Sequence, residues 1–354
     1  MNREERAALR NEFKQTKSKQ LEDLLVLEST PVHLYSTGSY AFDRAIKGIP
    51  SGRFIGIYGK QSCYKTSGVL RILGEVNKTN WDTGEVDENY TNPCGAMFID
   101  LEDSFCKSWS KKVGFDEDLD ENDVIKVVGG ENVGDMVKDA IDSDMYSAIV
   151  IDSFESMMPL KFADESLETN EQGRRAQLLA KCFRKWIPAI VKSSSRNRGT
   201  PWRTPAIIYL NHAQEKMMTL HYEIVVPGGN SQRMYASMEI IMSKIAYNNE
   251  SKKDFGLGTV KGTVDKNKVT GPRGKIFTYE TALKDLDNLS AGQIDNAKSI
   301  LKDIKDFEVM TKVKEGYEIF GEIYRTQADF KQKIYEDPDF EREVWDKMIK
   351  IVNQ

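Results

Sequence analysis

Eight residues, Gly59-Lys60-Gln61-Ser62-Cys63-Tyr64-Lys65-Thr66, come within one position of G-x-x-x-x-G-K-[ST], the spacing of a loop that wraps phosphate groups. The flanks suit that chemistry. The apolar run Phe54-Ile55-Gly56-Ile57-Tyr58 leads in as a strand, and Thr66-Ser67-Gly68-Val69-Leu70-Arg71-Ile72-Leu73 continues as a helix. Unpaired amides and the helix dipole make the N-terminus of such a helix an anion site. In this pattern Lys65 reaches the β- and γ-phosphates, and the Thr66 hydroxyl ligates Mg2+. The loop from Gly59 to Thr66, with Ser67, is therefore the candidate nucleotide contact. Tyr64 stands where the pattern has its second glycine. A bulky aromatic there is expected to require an ordinary backbone conformation.

Carboxylates at strand ends supply the second half of such chemistry. Ile149-Val150-Ile151-Asp152-Ser153 is an apolar strand ending in an acid, the pattern of an aspartate that supports Mg2+. Ala96-Met97-Phe98-Ile99-Asp100-Leu101-Glu102 is another apolar strand ending in an acid, and Glu102 is placed to orient an attacking water. Ala206-Ile207-Ile208-Tyr209-Leu210-Asn211 ends in Asn211-His212, followed by a weakly charged stretch, Ala213 to Val226, with Met217, Met218 and Tyr222. Pro227-Gly228-Gly229-Asn230 then restarts structure. This reads as a mobile loop hung on a strand end close to the γ-phosphate.

Around these residues the chain alternates strand and helix, which implies a parallel sheet covered on both faces. The order is a capped helix at Tyr40 to Ile46, the strand and helix of the phosphate loop, and strand 96–102. Helix 104–113, strand 124–128, helix 133–141 and strands 147–153 and 206–211 follow. Asn77 to Pro93, polar and acidic, reads as a surface insertion. From Met238 strands follow without intervening helices to Tyr279, and 285–354 is charged and largely helical. Residues 1–26 mix charges with Leu9, Phe13, Leu21, Leu24 and Leu25, which reads either as an amphipathic helix that docks on the core or on a neighbouring subunit or as a solvated N-terminal helix. The divisions expected are an arm (1–34), a core (35–284) and a small C-terminal α/β lobe (285–354).

With 40% hydrophobic and 30% charged residues, the composition is that of a soluble globular chain. The net charge of −5 argues against a uniformly basic nucleic-acid binder but not against a local patch. One such patch is expected. Between Arg174 and Arg203 there are nine basic residues, among them Arg174 and Arg175, and no acid. Lys266-Asn267-Lys268 is a second basic point. Cys63, Cys94, Cys106 and Cys182 show no metal spacing and read as free thiols in a reducing cytoplasm. No apolar run is long enough to cross a bilayer, so no membrane partner is expected.

These residues, in this order, resemble the RecA recombinase family, and within it the phage branch typified by UvsX. The resemblance is carried from Ser36-Thr37-Gly38-Ser39 through Phe98 to Glu102, Asp152-Ser153, Asn211-His212, Gly228-Gly229-Asn230 with Tyr235-Ala236-Ser237, and Lys266-Asn267-Lys268. It implies a RecA-like core whose mostly parallel twisted sheet binds ATP and Mg2+. Glu102 matches the glutamate that polarises water, Asp152 the metal-supporting acid, and Trp109 an aromatic that stacks on adenine. His212 stands where bacterial RecA has a glutamine that senses the γ-phosphate. Lys266 and Lys268 match lysines that reach ATP on the adjacent subunit.

The resemblance also makes 158–173 and 213–227 the two DNA-binding loops, with Arg174, Arg175, Lys216, Tyr222, Gly228, Gly229 and Arg233 as candidate contacts. The implied activity is ATP hydrolysis driving homologous strand exchange. The implied partners are single-stranded DNA, homologous duplex DNA and further copies of the chain in a helical filament, with single-strand-binding and mediator proteins beside them. A phage-encoded chain would work in the host's cytoplasm. Two other readings stand on the residues: a ring-forming helicase of the same fold, and a catalytically degenerate phosphate-loop protein that binds DNA or serves as structure.

Overall fold

The computed structural model describes residues 30–87, 95–116, 118, 122–160, 171–215, 224–245, 256–271 and 273–352. The N-terminal helix expected over 1–26 lies outside these residues. The described chain begins with β1 (Leu34–Tyr35), which pairs antiparallel with β2 (Ile49–Pro50). Between them runs helix α1 (Tyr40–Ile46), whose first turn is capped by the Ser39 side chain accepting from the N–H of Phe42. Next comes β3 (Phe54–Gly59), buried along its whole length, and then α2 (Lys65–Asn77).

Strand and helix alternate as the apolar runs require. The succession is β4 (Ala96–Asp100), α3 (Lys107–Val113), β5 (Asp123–Lys126), α4 (Gly130–Ser143) and β6 (Ala148–Asp152). Helix α5 (Glu171–Arg196) precedes β7 (Ala206–His212). A short pair, β8 (Gln214–Glu215) and β9 (Ile224–Val225), closes the neck of the second loop. Helix α6 (Asn230–Tyr235) then leads to β10 (Met238–Lys244), β11 (Leu257–Asn267) and β12 (Ile276–Ala282).

Eight strands form one sheet in the order β12-β11-β10-β3-β7-β6-β4-β5. From β10 to β5 neighbouring strands are parallel, and β11 runs antiparallel to both of its neighbours. Strands β3, β4 and β6 are uninterrupted apolar runs because helices cover both of their faces. One face packs on α2 through Val69, Leu70, Leu73 and Val76. The other packs on α4 and α5 through Val133, Val137, Phe183 and Trp186. Trp186 is fully buried and donates its indole N–H to the Gly134 carbonyl at 2.8 Å. Its truncation to alanine would cost about 3–5 kcal/mol.

Helix α3 begins three residues later than the expected helix over 104–113. The Asp100 carboxylate accepts the backbone N–H groups of Glu102, Ser104 and Phe105, which holds that stretch as a loop. The described part of the insertion after α2, residues 78–87, is folded against the core. Thr79 bridges to Val86, and the Trp81 carbonyl accepts from the indole of Trp202 at 2.6 Å.

The C-terminal lobe holds more strand than its charged sequence suggests. Beside α7 (Asn296–Asp306), α8 (Gln327–Glu336) and α9 (Pro338–Val352) it contains a meander of β13 (Met310–Val313), β14 (Gly316–Ile319) and β15 (Glu322–Tyr324). The lobe has its own core, with Ile300, Ile304, Phe330, Trp345 and Met348 packed around Tyr40 of α1. The Tyr40 hydroxyl donates to buried Asp303 at 2.8 Å, and Arg44 pairs with the same carboxylate. These contacts fasten the lobe to α1.

Candidate nucleotide site and its neighbouring edges

The phosphate loop leaves β3 at Gly59, where a Cβ would meet the Met242 carbonyl oxygen at 2.4 Å and the Cys63 sulfur at 2.5 Å. Only glycine fits there. Two later residues take left-handed backbone, Ser62 at φ 59° and Tyr64 at φ 66°. The expectation of an ordinary conformation at Tyr64 is therefore corrected. The turn into α2 needs a positive φ, and the tyrosine adopts it as the N-cap residue. Its hydroxyl fills the space beside Gly258, where a Cβ would come within 2.5 Å of it. The Lys244 ammonium lies 5.8 Å from the ring centroid.

Lys60, Gln61 and Ser62 face solvent, while Cys63 is buried beneath them and burial raises its thiol pKa. The Lys65 ammonium is buried and donates to the carbonyls of Gly59 and Lys60, both at 2.9 Å. Ser67 accepts the indole N–H of Trp109 at 2.9 Å, which fixes that aromatic against the first turn of α2.

Strand register brings the acids to the same edge. Gly59 lies beside His212, and Asp100 beside Asp152. The Thr66 hydroxyl donates to Oδ2 of Asp152 at 2.8 Å. Burial, reinforced by the nearby charge of Glu102, pushes Asp152 up to about 6, against the opposing pull of the Thr66 hydrogen bond. Glu102, set by the loop that Asp100 holds, accepts the Ser153 hydroxyl and lies 3.5 Å from Nε2 of His212. Thr66 and Asp152 present one hydroxyl and one carboxylate, hard oxygen donors that fit Mg2+. That ion typically takes one or two protein ligands and completes its shell with phosphate and water.

His212 is tied to the second loop through its neighbour. Buried Asn211 donates to the Pro227 carbonyl at 2.8 Å and to the Gln232 side chain at 3.0 Å. Gly228 and Gly229 take φ of 97° and 82° and pass so close to α5 that a Cβ on either would meet Leu179 or Ala176 at 2.8 Å. Lys216 and Tyr222, and the first loop from 161 to 170, lie outside the described residues. Arg174 is exposed on the first turns of α5, and Arg175 donates to the Met158 sulfur at 3.3 Å.

The cationic run is less free than its sequence suggests. Lys185 pairs with Asp135, Arg196 with Asp144, and Arg203 with Asp82. Acids remote in sequence neutralise part of the surface expected between Arg174 and Arg203.

Lys266 and Lys268 are not brought to the phosphate loop. Glu239, opposite Lys266, sits beside Gly56 of β3, three residues before Gly59 on the parallel strand. At roughly 3.3 Å per residue, the lysines lie at the amino edge of the sheet, away from the subunit's own Lys65. Arg233 is there too, paired with Asp265, and its carbonyl accepts from Lys266.

Sequence reasoning overlooked several contributors. Asp100 shapes the Glu102 loop, Ser153 holds the Glu102 carboxylate, and buried Gln232 joins Asn211 to Pro227 and Gly229. Asp100 carried a signal, an acid ending an apolar strand two residues before Glu102. Gln232 carried none, because Asn211, the partner that ties it to the site, lies 21 residues away on β7.

Among the described residues no helix is long and apolar enough to cross a membrane. Cys63, Cys106 and Cys182 are free thiols. The pattern of the RecA N-terminal domain family matches residues 7–280. Protein RecA of Rhodopirellula baltica is 27% identical over 319 residues, 89% of this chain and 76% of that protein. Protein RecA of Mycoplasma mobile is 28% identical over 262 residues, 73% and 71% of the two chains. Protein RecA of Ureaplasma parvum serovar 3 is 30% identical over 254 residues, 71% and 68%. With its central sheet, its phosphate loop and this match over most of its length, the chain belongs to the RecA family.

Proposed function

We propose that this chain is a DNA-dependent ATPase that polymerises on single-stranded DNA as a helical filament and exchanges strands with homologous duplex DNA. One observation carries the reading. Lys65, Thr66 with Asp152, and Glu102 with His212 share one edge of the sheet, and Asn211 beside His212 anchors the base of the second loop.

The roles follow from chemistry. Lys65 exchanges loop carbonyls for phosphate oxygens and neutralises charge that develops in phosphoryl transfer. Thr66 and Asp152 would hold Mg2+, which would supply positive charge against the charge that develops on the phosphates. Glu102, held by Ser153, orients the attacking water. His212 carries the state of the terminal phosphate to Asn211 and so to the loop that faces DNA. Trp109 supports the base from the flank of α2. Lys266 and Lys268, at the opposite edge, serve the nucleotide of the next subunit. Hydrolysis releases these contacts and with them the exchanged DNA.

Tyr64 and His212 replace a glycine and a glutamine of bacterial RecA, and this supports placing the chain in the phage UvsX-like branch, at work in a host cytoplasm. Single-strand-binding and mediator proteins would be its accessory partners. The test is ATP turnover with and without single-stranded DNA, beside negative-stain microscopy with a non-hydrolysable analogue. DNA-stimulated turnover and helical filaments are expected. Slow hydrolysis indifferent to DNA, with no filaments, would favour a degenerate phosphate-loop protein; closed rings would favour a helicase.

A further inference from the structure

At the amino edge of the sheet, Glu239 is 2% exposed. It sits in the apolar strand Met238-Glu239-Ile240, where charge is out of place unless something answers it. Its Oε1 accepts the Tyr58 hydroxyl at 3.0 Å and lies 3.6 Å from Nε of Arg233. Lys266 is its cross-strand partner on β11, and the strand register slips between Glu239 and Ile240, where Asp265 is accommodated. Lys266 in turn donates to the carbonyl of Arg233. Tyr58 belongs to β3, one residue before the phosphate loop, and its ring lies 6.3 Å from that of Tyr209 on β7. The Tyr209 hydroxyl donates to the Gln232 carbonyl at 2.8 Å in α6, the helix that carries Arg233.

We propose that Glu239 is a positioning residue whose buried carboxylate, held by Tyr58, draws Arg233 and Lys266 together and fixes them at the edge that faces the next subunit. The proposal rests on the reading that Lys266 serves the neighbouring nucleotide. A purely structural need at this site would be met by an uncharged side chain of the same shape. The charge matters because Arg233, Lys266 and Lys268 repel one another, and Glu239 shares with Asp265 the task of answering that charge. With the carboxylate in place, the lysine is held before the neighbour arrives, so less ordering remains to be done on assembly.

The variant is Glu239→Gln in the full chain, which keeps the shape and the Tyr58 contact and removes the charge. On single-stranded DNA its kcat/KM for ATP is expected to fall at least tenfold, with KM raised, while the thermal midpoint stays near that of the wild type. The discriminating arm mixes it with Lys65→Ala. A Glu239→Gln subunit has an intact phosphate loop, and a Lys65→Ala subunit has intact lysines. Mixed filaments should therefore exceed the summed activity of the two proteins alone.

Activity of Glu239→Gln within twofold of the wild type overturns the proposal, and so does a loss that Lys65→Ala does not rescue, because that loss would lie in the subunit's own fold. Lys266→Ala with wild-type turnover also overturns it, since nothing would then need positioning. Should Glu239→Gln fail to fold, Tyr58→Phe decides by the same rescue criterion, with a smaller expected loss of two- to fivefold. A wild type without DNA-stimulated turnover is a different result. It removes the functional reading itself, and the positioning role with it.

Discussion

Nε2 of His212 stands 3.5 Å from Oε1 of Glu102, the same oxygen that accepts the Ser153 hydroxyl. The two residues come from β7 and from the loop after β4, and they meet across the end of β6. The Glu102 carboxylate is thus in reach of a histidine whose neighbour, Asn211, holds the base of the second loop. Replacing Glu102 by glutamine keeps the shape and removes the charge. Nucleotide binding should survive, and turnover should fall at least tens-fold, within the roughly 10²–10⁴ that such groups contribute. Steady-state kinetics within twofold of the wild type would make Glu102 an ordinary strand-end acid.

Asp152 gives a prediction with a sign. Its pKa is raised from 3.8 to about 6, so its neutral form is favoured in the fold. Between those pH values the folded state binds more protons than the unfolded one. Stability without metal should therefore fall as pH rises through this window. At pH 7.5 the ionised group is a cost, with a ceiling of about 3 kcal/mol at 1.36 kcal/mol per pKa unit. Asp152→Asn should melt higher than the wild type in chelator and lose the effect of added Mg2+ on nucleotide affinity. In the wild type that effect should weaken as pH drops through about 6, because the proton competes with the ion. A variant that melts lower in chelator, or still responds to Mg2+, would contradict this assignment.

Tyr64 separates backbone from side chain. At φ 66° a non-glycine residue carries a penalty of roughly 1 kcal/mol, which glycine avoids. Tyr64→Gly should therefore be more stable than Tyr64→Ala by about that amount in urea denaturation, although it is the smaller residue. The reverse order would mean that the left-handed turn is not kept in solution.

DNA binding should be tolerant of sequence and weaken steeply with salt, with a slope of roughly −0.7 per phosphate contact on single strands. Tyr222→Ala should reduce DNA-stimulated turnover more than unstimulated turnover, if the ring stacks on bases for about 1–3 kcal/mol. Equal losses would assign Tyr222 to folding.

Much of this site could be read from residue order alone, for a physical reason. Buried parallel strands must be apolar throughout, so the acids that end them, Asp152 and the Asp100-Leu101-Glu102 triplet, stand out. Conformation and partners are harder to read. Nothing in the letters around Tyr64 announces a positive φ for an aromatic. Lys185 looked free because its acid, Asp135, is 50 residues away. Glu239 reads as a stray polar position in the interior strand β10 until Tyr58 and Arg233 are seen beside it. The lobe's meander was hidden because its short strands Met310–Val313 and Gly316–Ile319 bury little.

The central claim is that one catalytic site is built from two subunits, with Lys65 at one edge of the sheet and Lys266 and Lys268 at the other. It is tested by mixing Lys65→Ala with the Lys266→Ala/Lys268→Ala double variant on single-stranded DNA and measuring ATP hydrolysis across mixing ratios, with co-assembly confirmed. Each variant alone should be inactive, and the mixture should regain activity at junctions where an intact phosphate loop meets intact lysines. No recovery at any ratio, despite co-assembly, would contradict the account.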